Sequence, residues 1–204
     1  MKPARQQILE KLKETNIRLP EIPDFESPVF YEQEESPEIV FKKNLEAVNG
    51  KVTIFKSEEQ LLRKLKELTA SHTQEKICCA EPEIQTKLKN SGVRFSGCPE
   101  IPGDIEISIT GCEFLVAQTG SALVSSAQQG GRKLFIYPPQ HLVIASKKQI
   151  VNTLDETYSA ISEKYGNDLP SQLLLITGPS RTADIEKTLT LGAHGPKSLH
   201  VFLY

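Results

Sequence analysis

The sequence predicts a layered α/β protein of about one domain, on three observations. Short apolar runs alternate with stretches of helical period across both halves of the chain. Cap residues, glycines and prolines fall at the boundaries between them. A chain of 204 residues can also bury roughly two thirds to 70% of its unfolded surface, enough for a full core without metal or disulfide staples.

Residues 3–16 read as a short amphipathic helix. Ile8 and Leu12 lie one turn apart with Ala4 and Leu9 near the same stripe, and Pro3 suits a first helical turn. Pro20, Pro23, Pro28 and Pro37 then fall among many acids and mark an irregular arm, punctuated by Phe25, Phe30 and Tyr31. Residues 1–37 are therefore expected to form an N-terminal helix and proline-rich arm, and residues 38–204 the α/β domain.

Ser36-Pro37 pairs a cap residue with proline at the first helical position. The helix it opens carries Ile39, Leu45 and Val48 and closes at Gly50. Residues 51–55 follow as a strand. Ser57 and Gln60 form a capping box ahead of Leu61, Leu62, Leu65 and Leu68, whose spacing is helical. Residues 76–80 read as the second strand and 82–90 as a short helix ending before Gly92.

The middle is less periodic. Ile105, Ile107 and Ile109 alternate with polar residues, the pattern of a half-buried strand or an exposed edge. Extended runs at 114–117 and 122–125 flank Gln118-Thr119-Gly120-Ser121, and runs at 134–137 and 142–145 flank Pro138-Pro139-Gln140-His141. Ser146 and Gln149 read as a capping box opening a helix with Ile150, Leu154, Tyr158 and Ile161 along one side. Residues 173–176 are continuously apolar, as in a strand covered on both faces. Residues 182–191 read as a final helix and 199–203 as the last strand.

Lys plus Arg number 24 against 26 Asp plus Glu, a formal charge of -2. That balance provides no broad electrostatic footprint for nucleic acid or an anionic membrane. No uninterrupted apolar run approaches the ~20 residues needed to span a bilayer, and no apolar signal region follows Met1, so a cytoplasmic protein without membrane insertion is expected. The cysteines are Cys78, Cys79, Cys98 and Cys112, none in a Cys-x-x-Cys pair. Adjacent Cys78 and Cys79 would point to opposite faces of a strand, which disfavours a zinc or iron–sulfur site built from this chain alone. Core thiols in a reducing compartment are the simpler reading.

Two Thr-Gly loops carry the polar chemistry. The first, Ile176-Thr177-Gly178-Pro179-Ser180-Arg181-Thr182-Ala183-Asp184, runs from an apolar strand towards the expected helix, at the C-terminal strand end where open α/β sheets bind ligands. Gly178 permits close backbone approach. Ser180 or Thr182 can cap the helix while free amides meet an anion, and Arg181 adds a bidentate donor. Asp184 and Glu186 can equally satisfy that helix end from within, in which case the loop is only a turn and a cap. In the second loop Gln118, Thr119, Gly120 and Ser121 offer an amide, two hydroxyls and a flexible backbone, again consistent with a plain turn. His141 beside the diproline and His194 between glycines are further candidates, whereas His200 in an apolar strand reads as a hydrogen-bonded core residue. Gly-x-x-x-x-Gly-Lys-Ser/Thr, Gly-x-Gly-x-x-Gly and Gly-x-Ser-x-Gly patterns are absent from the sequence.

The string from Ile176 to Glu186, followed by Leu191-Gly192-Ala193-His194-Gly195-Pro196 and Leu199-His200-Val201, resembles the signature of the lactate utilization protein C family, or LUD domain. Ile109-Thr110-Gly111, Ala117-Gln118-Thr119-Gly120-Ser121 and Pro138-Pro139-Gln140-His141 appear in family order. The resemblance covers roughly residues 40–204. It implies a Rossmann-like open, mostly parallel sheet flanked by helices, akin to sugar-phosphate isomerases and CoA transferases. It also implies an accessory role in oxidation of L-lactate to pyruvate, beside two iron–sulfur proteins that carry the redox centres. On this reading no cofactor is bound by this chain alone, and a small organic or phosphorylated anion occupies the loops. The family loop often has an acidic residue before Thr-Gly. Gln118 stands there in this chain, and an amide only donates and accepts hydrogen bonds. The alternatives are an autonomous small-molecule enzyme on the same scaffold and a non-catalytic scaffold protein.

Overall fold

A computed structural model describes residues 3–14, 22, 35–98, 103–183 and 189–204. The proline-rich arm falls almost wholly outside the described residues, as does Asp184. The chain divides into two compact units, Met1–Glu34 and Glu35–Tyr204. In the first, helix α1 spans Ala4–Glu14, and the Pro3 carbonyl accepts from the amides of Gln6 and Gln7.

The second unit is built on a five-stranded parallel sheet. Its strands are β1 (Lys51–Ile54), β2 (Ile77–Cys78), β3 (Ile107–Thr110), β6 (Gln140–Ala145) and β11 (Ser198–Leu203), in the order β1-β11-β6-β3-β2. A four-stranded mixed sheet has the order β7-β4-β5-β8, from β4 (Phe114–Val116), β5 (Ser121–Ser125), β7 (Ile150–Val151) and β8 (Leu173–Ile176). Strands β9 (Arg181–Ala183) and β10 (Leu189–Leu191) form an antiparallel pair. The helices are α2 (Pro37–Ala47), α3 (Glu58–Thr69), α4 (Pro82–Ser91), α5 (Gly131–Leu134) and α6 (Leu154–Tyr165).

Alternation along the parallel strands separates two apolar layers. Val52, Val143, Ala145, Val201 and Leu203 pack with Phe41 and Leu45 of α2 and with Leu115 and Val124 of the mixed sheet. Ile107, Ile109, Leu142, Ile144 and Phe202 pack with Leu61 and Leu65 of α3 and Ile84 and Leu88 of α4. Each large side chain so covered contributes roughly 1.5–3 kcal/mol relative to leaving it in water. The predicted starts of α2 and α3 hold. Pro37 opens α2 behind Ser36, and the Ser57 hydroxyl accepts from the Gln60 amide at the start of α3.

Several sequence expectations are overturned. The helix expected over 182–191 is not found among the described residues of that segment: residues 181–183 and 189–191 pair as β9 and β10, Thr182 lying opposite Thr190. β-Branched threonines suit extended backbone better than a helix interior. Residues 134–137 are not a strand, because α5 ends at Leu134. The Ser146–Gln149 capping box forms, but it opens only a 3-10 turn over Lys147–Gln149. Ile150 and Val151 then pair with Leu115 and Val116, and α6 starts behind Thr153. Strand β8 is an edge strand with alternating exposure, not a strand covered on both faces. Strand β3 is wholly buried inside the parallel sheet. Cys78 and Cys98 are joined by a disulfide with Cα atoms 5.8 Å apart, whereas Cys79 and Cys112 are buried free thiols.

Among the described residues, no helix is long and apolar enough to cross a membrane.

Candidate functional site

The two Thr-Gly bends meet, and strand pairing is the reason. Strands β5 and β8 are antiparallel, with Ala122 opposite Ile176, so Ser121, the first residue of β5, and Thr177, the residue after β8, fall side by side. The Ser121 hydroxyl lies 2.6 Å from that of Thr177 and the Thr119 and Ser121 hydroxyls are 2.7 Å apart. Ser121 is buried and Thr177 exposed, so the trio leads from the core to the surface.

Both bends rest on the C-terminal turn of α2. Gly120 has φ +63°, and a Cβ there would stand 2.3 Å from the Leu45 amide nitrogen; Gly178 has φ +85°, with the Val48 carbonyl 2.8 Å from its would-be Cβ. Only glycine allows both that backbone and that approach. The Asn44 side-chain amide donates to the carbonyls of Ala117 and Gln118 at 2.9 and 3.0 Å. The Arg181 guanidinium donates to the Val48 carbonyl, a favourable place for a cation because helix C-termini carry unpaired carbonyls and negative polarity. The expected helix start beyond Ser180 is replaced by β9, so residues 181–183 do not present the free first-turn amides of a helix. Arg181 and Gly178 nevertheless share Val48 as a neighbour, which puts the guanidinium beside the Thr-Gly bends.

The remaining sequence candidates are distributed around this junction. The Gln118 carboxamide oxygen accepts from the Leu154 amide at 3.1 Å and so holds the first turn of α6; its nitrogen is buried without a partner. Ser180 and Gly192–Pro196 are joined through backbone bonds from Ser180 N–H to the Pro196 carbonyl and from Gly192 N–H to the Ser180 carbonyl. His194 sits exposed on that second loop. Thr182 lies on β9. His141 is fully buried, with Nε2 2.8 Å from the Thr110 hydroxyl and Nδ1 unpartnered, and burial lowers its pKa to about 4. Because the Thr110 hydroxyl donates to the Gly111 carbonyl at 2.9 Å, it can only accept from His141, which assigns the proton to Nε2.

The structure adds a carboxyl pair that sequence reasoning missed, beyond the C-terminal ends of β2 and β3, the edge where open parallel sheets place ligands. Glu81 accepts from the Gly111 amide at 2.7 Å, and burial pushes its pKa up, reinforced by the charge of Glu113. Glu113 is 6% exposed. Burial pushes its pKa up too, but hydrogen bonds from Lys164, Ser125 and Tyr165 outweigh that and hold it low. Ser125 and Tyr165 donate to one carboxylate oxygen at 2.5 and 2.6 Å, and Lys164 to the other at 2.5 Å. Neighbouring carboxyls whose pKa values are driven apart can divide acid and base roles. The available sequence signals were a Glu embedded in Gly111-Cys112-Glu113-Phe114-Leu115 and another directly after Cys78-Cys79-Ala80, because acids in apolar runs are seldom buried without a purpose.

Glu113→Gln keeps the shape but converts an acceptor-only group into one that also donates. We expect a loss of about 2 kcal/mol in urea unfolding, carried by Ser125 and Tyr165. Lys164, half exposed, contributes little to that figure. A change below about 0.5 kcal/mol would mean that this network does not hold the mixed sheet. Among the described residues, no group of three or more His, Cys, Asp or Glu is placed to hold a metal ion.

Comparison with known proteins supplies a separate line. The LUD domain matches residues 98–204. Lactate utilization protein C of Bacillus licheniformis is 34% identical over 92 residues, 44% of this chain and 38% of that protein. Lactate utilization protein C of Deinococcus radiodurans is 33% identical over 96 residues, 47% of this chain and 44% of that protein. An uncharacterized protein of Neisseria meningitidis is 36% identical over 98 residues, 47% of this chain and 41% of that protein. The chain thus spans about two fifths of the length of the curated relatives it matches. A crystal structure of a DUF162 family protein from Deinococcus radiodurans superposes with a TM-score of 0.61 at 18% identity, covering 83% of this chain and 98% of that one, which shows a shared α/β fold.

Proposed function

This chain belongs to the LUD domain family, and on that premise we propose that it is an accessory component of L-lactate oxidation to pyruvate, acting with iron–sulfur partner proteins. The observation that carries the reading is the match of residues 98–204 to the LUD domain, together with relatives named lactate utilization protein C. In this reading the partners supply the redox centres and this chain, cytoplasmic like them, supplies an organic-anion site. The hydroxyls of Thr119, Ser121 and Thr177 are its neutral donors and Arg181 its cation, all gathered at the last turn of α2.

Two experiments test the reading. Purification from the native host under mild, anaerobic, reducing conditions should recover two iron–sulfur proteins with the chain; recovery of the chain alone counts against the partnership. Arg181→Ala should weaken lactate or pyruvate binding roughly tenfold, as loss of one charge-assisted contact does, and cost about 1 kcal/mol through the freed Val48 carbonyl. Unchanged affinity in a calorimetric titration removes Arg181 from the site.

A second reading is favoured by the Glu81–Glu113 pair, whose place at the strand ends suits an autonomous enzyme on a scaffold related to sugar-phosphate isomerases and CoA transferases. Glu81, half-buried with a raised pKa, would then be the proton donor. Turnover by the homogeneous chain, abolished by Glu81→Gln, would establish it; a chain inert without partners returns the weight to the accessory role.

A further inference from the structure

At the outer edge of the parallel sheet, the segment after α4 runs beside β2 through a parallel bridge between Cys78 and Ser96. Between that segment and α4 lies an open groove of about 490 Å³, lined among others by Gln74, Gln85, Lys89, Arg94, Phe95 and Gly97. A smaller recess of about 100 Å³ adjoins it, sharing Gly92, Val93 and Arg94 as walls and bringing in Lys66 from α3. The larger volume falls within the roughly 300–1,000 Å³ of small-molecule sites.

The charge of these walls is one-sided. Three cations face the two recesses and no Asp or Glu lines either one. Among the described residues none of Lys66, Lys89 and Arg94 is in a salt bridge. Lys66 reaches the shared wall, its Nζ 3.0 Å from where a Cβ on Gly92 would stand. Lys89 lies over the Phe95 ring at 6.0 Å from its centroid. Arg94 has one long hydrogen bond, 3.5 Å, to the Ala70 carbonyl. Glu75 feels the charge of Arg94, and it does not line the groove. The C-terminal end of α4 accounts for one nearby cation through its polarity; three cations drawn from two helices and the following segment exceed that need. Gln85 donates through its nitrogen to the Cys79 carbonyl at 2.8 Å, which leaves its carboxamide oxygen as an acceptor.

The geometry points to a second ligand site here, for a small phosphorylated metabolite whose phosphate is held by Lys66, Lys89 and Arg94 and whose polar body lies along Gln74 and Gln85. A dianionic phosphate matches three cations lining adjoining recesses better than a monocarboxylate does, and Arg supplies the fork that phosphate oxygens accept. Neither lactate nor pyruvate carries such a group, so this site serves a different molecule from the Thr-Gly junction.

Titration of the full-length chain with inorganic phosphate and pyrophosphate, followed calorimetrically at low ionic strength, tests the assignment. Saturable binding is expected, tighter for pyrophosphate, and weaker as salt is raised. Arg94→Ala and Lys89→Ala should each weaken it roughly tenfold or more, while Lys43→Ala, a surface lysine paired with Glu35, leaves it unchanged. All three positions are exposed, and matching thermal unfolding of the variants confirms that they fold. No saturable binding, or binding that Arg94→Ala and Lys89→Ala leave intact, overturns the site.

Discussion

Gly120→Ala is expected to destabilise the α/β unit by about 3 kcal/mol, the sum of forcing a side chain into a left-handed backbone and driving a methyl into a packed helix. The methyl would stand 2.3 Å from the Leu45 amide nitrogen and 2.6 Å from the Asn44 carbonyl carbon, and neither belongs to a flexible side chain that can move aside. Relief requires α2 to lift from the loop, which breaks the Asn44 hydrogen bonds to Ala117 and Gln118 and uncovers Phe41 and Leu45. For a chain of this size the midpoint should fall by about 10 °C. Gly103→Ala, where a methyl meets open space, is the control and should be neutral. A Gly120→Ala loss under about 1 kcal/mol would mean that α2 is not seated on the Thr-Gly bends.

The second large effect is an acid-side loss of stability from histidine. Burial lowers the pKa of both His141 and His200 to about 4, from an ordinary 6.5. Below 6.5 the unfolded chain therefore takes up protons that the folded chain refuses. Stability is complete above about 6.5 and drains away as the pH falls through about 4. For His141, fully enclosed, the full window amounts to about 3 kcal/mol. His200 adds less because it is partly exposed, with Nε2 2.8 Å from the Thr53 hydroxyl. Glu113, held low, extends the loss below its ordinary range, while Glu81, held high, works the other way as it protonates. Urea unfolding from pH 8 to 4 should show the slope, and His141→Gln should flatten much of it. An imidazole at His141 that titrates near 6.5 by NMR contradicts this account.

How much of this was legible in the chain depends on how local each signal is. Ser36-Pro37 and Ser57 with Gln60 announce helix starts through groups a few residues apart, and both starts are where they were expected. The Thr-Gly bends meet through the pairing of β5 with β8, a contact across more than 50 residues that no local pattern encodes. The misreadings share one cause. Leu173 to Ile176 is equally apolar whether a strand is central or at an edge, and the edge position follows from sheet order alone. Residues 182–191 have short, mixed periodicity, and antiparallel pairing makes strands of residues 181–183 and 189–191. The role of Glu113 is not legible locally because its partners Ser125, Lys164 and Tyr165 are 12 to 52 residues away. In the sequence Arg181 reads as a donor to an anion at the N-terminal start of a following helix. The end it meets is the C-terminus of α2, formed more than 130 residues earlier, instead of the N-terminus of a helix of its own.

Growth tests the central claim most directly. In the native host, deletion of the gene should abolish or severely slow growth on L-lactate as sole carbon source while growth on pyruvate continues, and re-expression of the chain should restore it. Equal growth of the deletion and parent strains on L-lactate, with no second LUD-domain protein present, contradicts a role in lactate oxidation.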